Sequence, residues 1–118
     1  MIVIKNRYTG SVMMELKTLV DANLRNANLR NADLSYTDLS GANLSYTDLR
    51  NANLRNTDLR NANLSGANLS YTDLRNANLS GADLRDTDSR NADLRNADLS
   101  GADLSYTDLS GADLRDTD

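Results

Sequence analysis

Leucine recurs at every fifth position from Leu24 to Leu114, and Ser89 is the only exception. An α-helix turns about 100° per residue, so successive leucines would move by about 140° and spread around its surface. A continuous strand changes face at every residue, so an odd period would send alternate leucines to opposite sides. The period of five therefore excludes both regular elements as the repeating unit.

Each five-residue unit has a small residue, Ala or Thr, two places before its leucine. In extended backbone these two side chains point to the same side, while the Asn or Asp between them points to the other. If the remaining two residues turn a corner, each unit becomes one side of a coil. Apolar side chains that are buried only by stacking coil on coil are typical of a solenoid.

The units "ANLRN", "ADLSY" and "TDLSG" resemble the A(D/N)Lxx pattern of the pentapeptide repeat family, and the match covers residues 22–118. The resemblance implies an all-β fold, a right-handed quadrilateral β-helix with four units per coil. Leucine and the small residue would face inward. Residues 22–118 would then form about five coils, roughly 24 Å long at about 4.8 Å between neighbouring strands.

Residues 1–21 depart from the repeat. The runs "IVIKN" and "SVMME" are β-prone and flank "RYTG", which predicts a hairpin with Gly10 available for a positive φ. Such a hairpin resembles the N-terminal segment of some family members, and we expect it to cap the first coil. Met14 and Leu19 are in phase with the later leucines, which indicates that the coil begins before residue 22.

The composition excludes several kinds of chemistry. The chain has no cysteine and no histidine, so thiolates and the commonest general base and metal ligand are missing. No unit pairs a nucleophile with a base, so we expect no enzyme activity, no cofactor and no metal. The sequence contains neither a signal-peptide pattern nor a membrane-spanning run, so we expect a cytoplasmic protein without membrane contact.

Four units per coil place residues twenty apart in one outward column. One side of the coil carries arginine directly after leucine on four successive coils, and we call this side the arginine face. The column beside the arginines is Asp33, Asn53, Asp73, Asp93 and Asp113, and the candidate docking residues are Arg55, Arg75, Arg95 and Arg115 with Asp73, Asp93 and Asp113. One interpretation is a solubilising ladder, since exposed ion pairs contribute only about 0 to 1 kcal/mol each. The alternative is a docking face for a protein partner with its own charge ladder.

The net charge of −4 is distributed unevenly, with +2 in residues 1–20, zero in residues 21–80 and −6 in residues 81–118. Some members of the resembled family are DNA mimics that bind DNA gyrase through an acidic surface, so gyrase binding is an alternative function. The absence of net charge in residues 21–80 and the lack of loop insertions argue against gyrase binding.

A further alternative is a designed or shortened scaffold without a partner, because blocks such as "ADLSYTDLSGA" recur verbatim.

Direct binding of nucleic acid is not expected. The tyrosines of the repeat occupy three different corners and do not stack on adjacent coils, and the net charge is negative.

At the C-terminal end of the chain, "LSGADLRDTD" at 109–118 copies residues 79–88 without a cap. An open solenoid end exposes strand edges, so we expect self-association through the C-terminal coil or a longer parent chain.

Ser89 falls in an inward column between Leu69 and Leu109. Truncating a buried leucine costs about 2.7 to 5 kcal/mol, and an unpaired buried hydroxyl adds about 1 to 3 kcal/mol. A water molecule or a backbone carbonyl would satisfy the hydroxyl. We therefore interpret Ser89 as a tolerated irregularity of the core rather than as a functional polar site.

Overall fold

The computed structural model describes residues 1–118 as an all-β solenoid without a helix. Three strands have conventional length: β1 (Ile2–Asn6), β2 (Val12–Leu16) and β3 (Ala32–Asp33). The repeats pair through single parallel bridges between residues twenty apart, from Asn23 with Asn43 to Asp93 with Asp113. Four five-residue units therefore complete one coil, and the predicted all-β solenoid is confirmed. Its handedness and the number of coils stay predictions.

The backbone hydrogen bonds repeat with the same period. The Leu24 N–H donates to the Asn43 carbonyl at 2.8 Å, and the Asn43 N–H donates to the Ala22 carbonyl at 2.8 Å. At the corner, the Ala27 N–H donates to the Leu24 carbonyl at 3.0 Å and closes a four-residue turn around Asn26. The corner residues also bond to the next coil, since the Asn26 N–H donates to the Ser45 carbonyl at 3.0 Å, so all five residues of a unit take part in pairing.

The corner residue of every unit has a left-handed backbone. From Asp21 to Asp116, every fifth residue has a φ between 54° and 72°. Glycine, asparagine and aspartate adopt this conformation most easily, which explains why they dominate this place in the repeat. The exceptions are bulky side chains that are strained in this conformation, and they are Tyr36, Tyr46, Tyr71 and Tyr106.

Tyr46 is held by its neighbours at this strained corner. Its ring lies against Gly66 of the next coil, where a Cβ would come within 2.5 Å of the ring. The Arg25 guanidinium lies 4.8 Å from the centroid of the same ring, and the Arg25 Nη1 donates to the Ser45 hydroxyl at 3.3 Å. A side chain at position 66 would therefore displace the ring of Tyr46.

Leucine and the small residue face inward, as the spacing within each unit predicts. One cluster of 25 buried hydrophobic residues runs through the solenoid, and it consists of leucine and alanine apart from Ile4. Leu19 is also buried, at 1% exposure, and the Asp21 N–H donates to the Ser40 carbonyl at 3.0 Å. Met14 is only partly buried and packs against the cluster. The buried coil therefore includes residues before position 22.

The N-terminal hairpin joins the solenoid through β1. In the three-stranded sheet of order β2-β1-β3, β1 pairs antiparallel with both neighbours, Ile2 opposite Leu16 and Lys5 opposite Asp33. Ile4 is buried, with 1% of its surface exposed. Because β3 belongs to the arginine face, the hairpin extends that face toward the N-terminus.

Ser89 lies inside the solenoid with 3% of its surface exposed. Its hydroxyl is 3.0 Å from the Thr87 hydroxyl, so its partner is a second side chain rather than the water or carbonyl expected from the sequence. The Ser89 N–H donates to the Asp108 carbonyl at 2.9 Å, which leaves the backbone pairing regular. The cost of serine at this position is therefore one of side-chain packing.

We expect Ser89→Leu to stabilise the fold by about 1 to 3 kcal/mol, less than the cost of the reverse truncation because the coil must adjust to the larger side chain. Thermal and urea denaturation followed by circular dichroism would measure this gain. Ser110→Leu, which adds the same side chain at an exposed position, is the control and should change stability little. A lower melting temperature for Ser89→Leu would contradict the inward placement of a leucine at this position.

Candidate protein-docking face

The outward Asn or Asp of each unit is fixed by hydrogen bonds to its own turn. The Asp73 Oδ1 accepts the Arg75 N–H at 3.3 Å and the Arg75 Nε at 2.8 Å, while Oδ2 accepts Nη2 at 2.6 Å. Where serine follows leucine, the hydroxyl takes the role of the guanidinium, and the Ser65 hydroxyl donates to the Asn63 Oδ1 at 2.7 Å. Side chains of Asn and Asp that bond the backbone two residues on are typical of such turns.

On the arginine face these local pairs join into a ladder. The Arg55 Nε is 3.7 Å from the Asp73 Oδ2, and the Arg75 Nε is 3.7 Å from the Asp93 Oδ2. The Arg95 Nε is 3.6 Å from the carboxylate of the next coil. The structure thus joins seven of the charged residues on this face into one ladder, in the order Arg55, Asp73, Arg75, Asp93, Arg95, Asp113 and Arg115.

The ladder leaves one side of each guanidinium open. The side chains of Arg75 and Arg95 are 38% exposed, whereas that of Asp73 is 15% exposed. The arginines of the ladder use Nε and Nη2 for hydrogen bonds within the chain, and none uses Nη1. The face therefore presents a column of N–H donors on four successive coils.

The guanidinium groups also keep the carboxylates ionised. Hydrogen bonds from the Arg95 side chain lower the pKa of Asp93, and those from the Arg115 side chain lower the pKa of Asp113 to about 2. For Asp73, burial raises the pKa, but hydrogen bonds from Arg75 outweigh it and the net change is a lower pKa. The ladder is therefore fully charged at neutral pH.

The other faces carry shorter ladders. Arg85 pairs with Asp83 at 2.6 Å and approaches Asp103 at 3.9 Å. Arg90 pairs in the same way with Asp88 at 2.7 Å and Asp108 at 4.0 Å. Sequence reasoning missed these cross-coil pairs, although their signal is present as an aspartate eighteen residues after an arginine. The arginine face differs in continuing the pattern over four coils.

Other kinds of site find no support in the geometry. The structure has no pocket, and no three acidic side chains converge as a metal site would require. No helix has the length and apolar character needed to cross a bilayer.

Residues 18–45, 42–81 and 77–116 match the family described as pentapeptide repeats, in 8 copies. This chain belongs to the pentapeptide repeat family. Among solved structures it is similar to a pentapeptide repeat protein of the Arabidopsis thaliana thylakoid lumen, with 27% identity and a TM-score of 0.56 over 85% of this chain and 66% of that one. It is also similar to Rfr23 from the cyanobacterium Cyanothece 51142, with 33% identity and a TM-score of 0.51 over 83% and 85% of the two chains.

QnrB1, a plasmid-mediated fluoroquinolone resistance protein, is a more distant match, with 24% identity and a TM-score of 0.39 over 80% of this chain and 57% of that one. A likeness of this size carries no argument about function, so gyrase binding stays a prediction. A search of curated proteins finds no match. Pentapeptide repeat proteins are generally structural or binding proteins rather than enzymes.

We expect the pH dependence of stability to report on the ladder. Because folding lowers the pKa of Asp93 and Asp113, their contribution is complete above about pH 4 and is lost as the pH falls toward about 2. The melting temperature should therefore fall over this range. The Asp93→Asn/Asp113→Asn double variant should lose less, and an equal loss in both proteins would show that these carboxylates do not contribute.

Proposed function

We propose that this chain is a non-catalytic binding module that docks a protein partner on the arginine face. The observation that carries this proposal is the seven-residue ladder, whose arginines are each held by the Asn or Asp two residues before while Nη1 stays free. Side chains that are already ordered lose less conformational entropy when a partner binds. A planar guanidinium with free N–H groups suits carboxylate or carbonyl acceptors.

The size of this face limits the strength of binding. Five coils at about 4.8 Å and three extended residues at about 3.3 Å give a face of roughly 240 Å². A standard protein–protein interface buries about 800 Å² on each partner. A partner that uses this face alone would therefore bind transiently, and a tighter one would also contact the neighbouring corners.

The architecture in this proposal is a right-handed quadrilateral β-helix of about five coils with residues 1–21 as its cap and lead-in. The capping role is supported by the pairing of β1 with β3 and by the burial of Ile4. Arg7 adds two contacts, since its N–H donates to the Asn31 carbonyl at 2.7 Å and its Nη1 to the Asn51 carbonyl at 3.1 Å. A capped N-terminal end would direct recognition to the faces of the solenoid.

A second copy of the chain is a separate candidate partner, for the C-terminal coil. Leu99, Leu104 and Leu109 are only partly buried there, and Leu114 is 38% exposed. Covering these leucines with a second copy would bury further apolar surface. Light scattering should then detect a mass that rises with concentration, and a constant monomer mass would exclude this form of self-association.

The docking face is tested by cross-linking in an extract of the source cell, followed by mass spectrometry. We expect Arg75→Glu/Arg95→Glu to lose a partner that the wild-type chain captures, because two free donors are replaced by carboxylates. The Gln/Gln variant at the same positions should weaken capture less, since it adds no charge.

The matched control is Arg50→Glu/Arg60→Glu, which reverses two arginines that each pair with one aspartate on other faces. This variant should retain the partner. Circular dichroism must show that all variants are folded. A partner retained by the Arg75→Glu/Arg95→Glu variant, or lost equally from the control, would contradict docking on the arginine face.

A further inference from the structure

The threonines near Ser89 use their hydroxyl groups differently from the other inward threonines. In regular units the hydroxyl donates to the leucine carbonyl three residues earlier, as it does at Thr37, Thr47, Thr57, Thr72 and Thr117. Thr87 instead pairs with Ser89 at 3.0 Å. The carbonyl that it leaves, that of Leu84, accepts the hydroxyl of Thr107 from the next coil at 2.7 Å. A single substitution therefore rearranges hydrogen bonds in two coils.

The column of inward leucines is interrupted at the same place. Leu29 and Leu49 have no exposed surface and Leu69 has 1%, whereas the next place in this column holds Ser89 instead of a leucine. A serine side chain is too short to fill the volume of a leucine between two neighbours. The backbone bonds across this level keep ordinary lengths of 2.7 and 2.9 Å. Between Ser89 and its column neighbours, Leu69 and Leu109, the side-chain packing is therefore weakened while the backbone hydrogen bonds are intact.

We infer that Ser89 marks the boundary of a cooperative unit, and that residues 90–118 open and close separately from the coils before them. In a solenoid each coil contacts only its neighbours, so the stability of a segment depends on the interfaces at its own ends. Local opening follows the weakest of these interfaces. Because Arg95, Asp113 and Arg115 lie in this segment, its opening also takes apart the C-terminal half of the arginine-face ladder.

Hydrogen exchange of the full chain, followed by mass spectrometry, tests this inference. Leu54 and Leu94 occupy the same place on the arginine face, and their N–H groups donate at 2.7 and 2.8 Å. We expect the hydrogen-bonded amides of residues 90–118, among them those of Leu94, Asp98 and Asp103, to exchange together and faster than the Leu54 amide. Ser89→Leu should slow this group by about 5- to 150-fold, the equivalent of the gain in stability expected above for this substitution, with Leu54 unchanged.

Two further variants separate packing from hydrogen bonding. Ser89→Ala removes the hydroxyl but not the gap, so the boundary should stay in place. Leu69→Ser creates a gap one coil earlier, so the group that exchanges together should extend to Leu74 and Leu79. An equal slowing of all amides by Ser89→Leu, or no slowing at all, would overturn the inference, because Ser89 would then affect only global unfolding or nothing.

Discussion

The left-handed corner residue at every fifth position is the constraint on which the rest of this structure depends. It closes the turn in which the N–H of the small residue reaches the leucine carbonyl, as in Ala27 to Leu24 at 3.0 Å. With the corner fixed, leucine and the small residue can only face inward and the residue between them outward. The residues at the corner are mostly Gly, Asn and Asp because the left-handed backbone conformation favours them, and packing has no part in this preference. Tyrosine also occurs at this corner, and the ring of Tyr46 lies against Gly66 and 4.8 Å from the Arg25 guanidinium.

The same geometry generates the charged ladder. The outward aspartate accepts the backbone N–H of the residue two places later, and its carboxylate also faces the side chain of that residue. An arginine at this place therefore forms an ion pair with the aspartate. Stacking then brings the aspartate of the next coil within 3.6 to 3.7 Å of the arginine Nε on this face. Exposed pairs of this kind contribute little to stability, about 0 to 1 kcal/mol each, so the leucine core carries the fold. The outward ion pairs therefore contribute little of the free energy of folding.

Most of this architecture follows from the sequence because the repeat leaves few choices. The period of five excluded helix and strand, and the twenty-residue column that the pentapeptide resemblance implies appears as the bridge from Asn23 to Asn43. The seven residues of the arginine face were assigned to one surface on the same basis. The pairing of β1 with β3 could not be predicted, because residues 1–21 lie outside the repeat. The Thr87 partner of Ser89 was also missed, since it depends on the rotamers of two adjacent hydroxyls.

Ser89 shows that a change in the packing of the core can leave the positions of the surface residues unchanged. Its neighbour Arg90 keeps the usual pairs with Asp88 at 2.7 Å and Asp108 at 4.0 Å, although the core below has lost a leucine. The Ser89 N–H also keeps its bond to the Asp108 carbonyl. A defect in the core therefore leaves the surface above it in register, because the backbone ladder alone sets the positions of the outward columns. The packing of the core and the pairing on the surface therefore fall on different residues of the same five-residue unit.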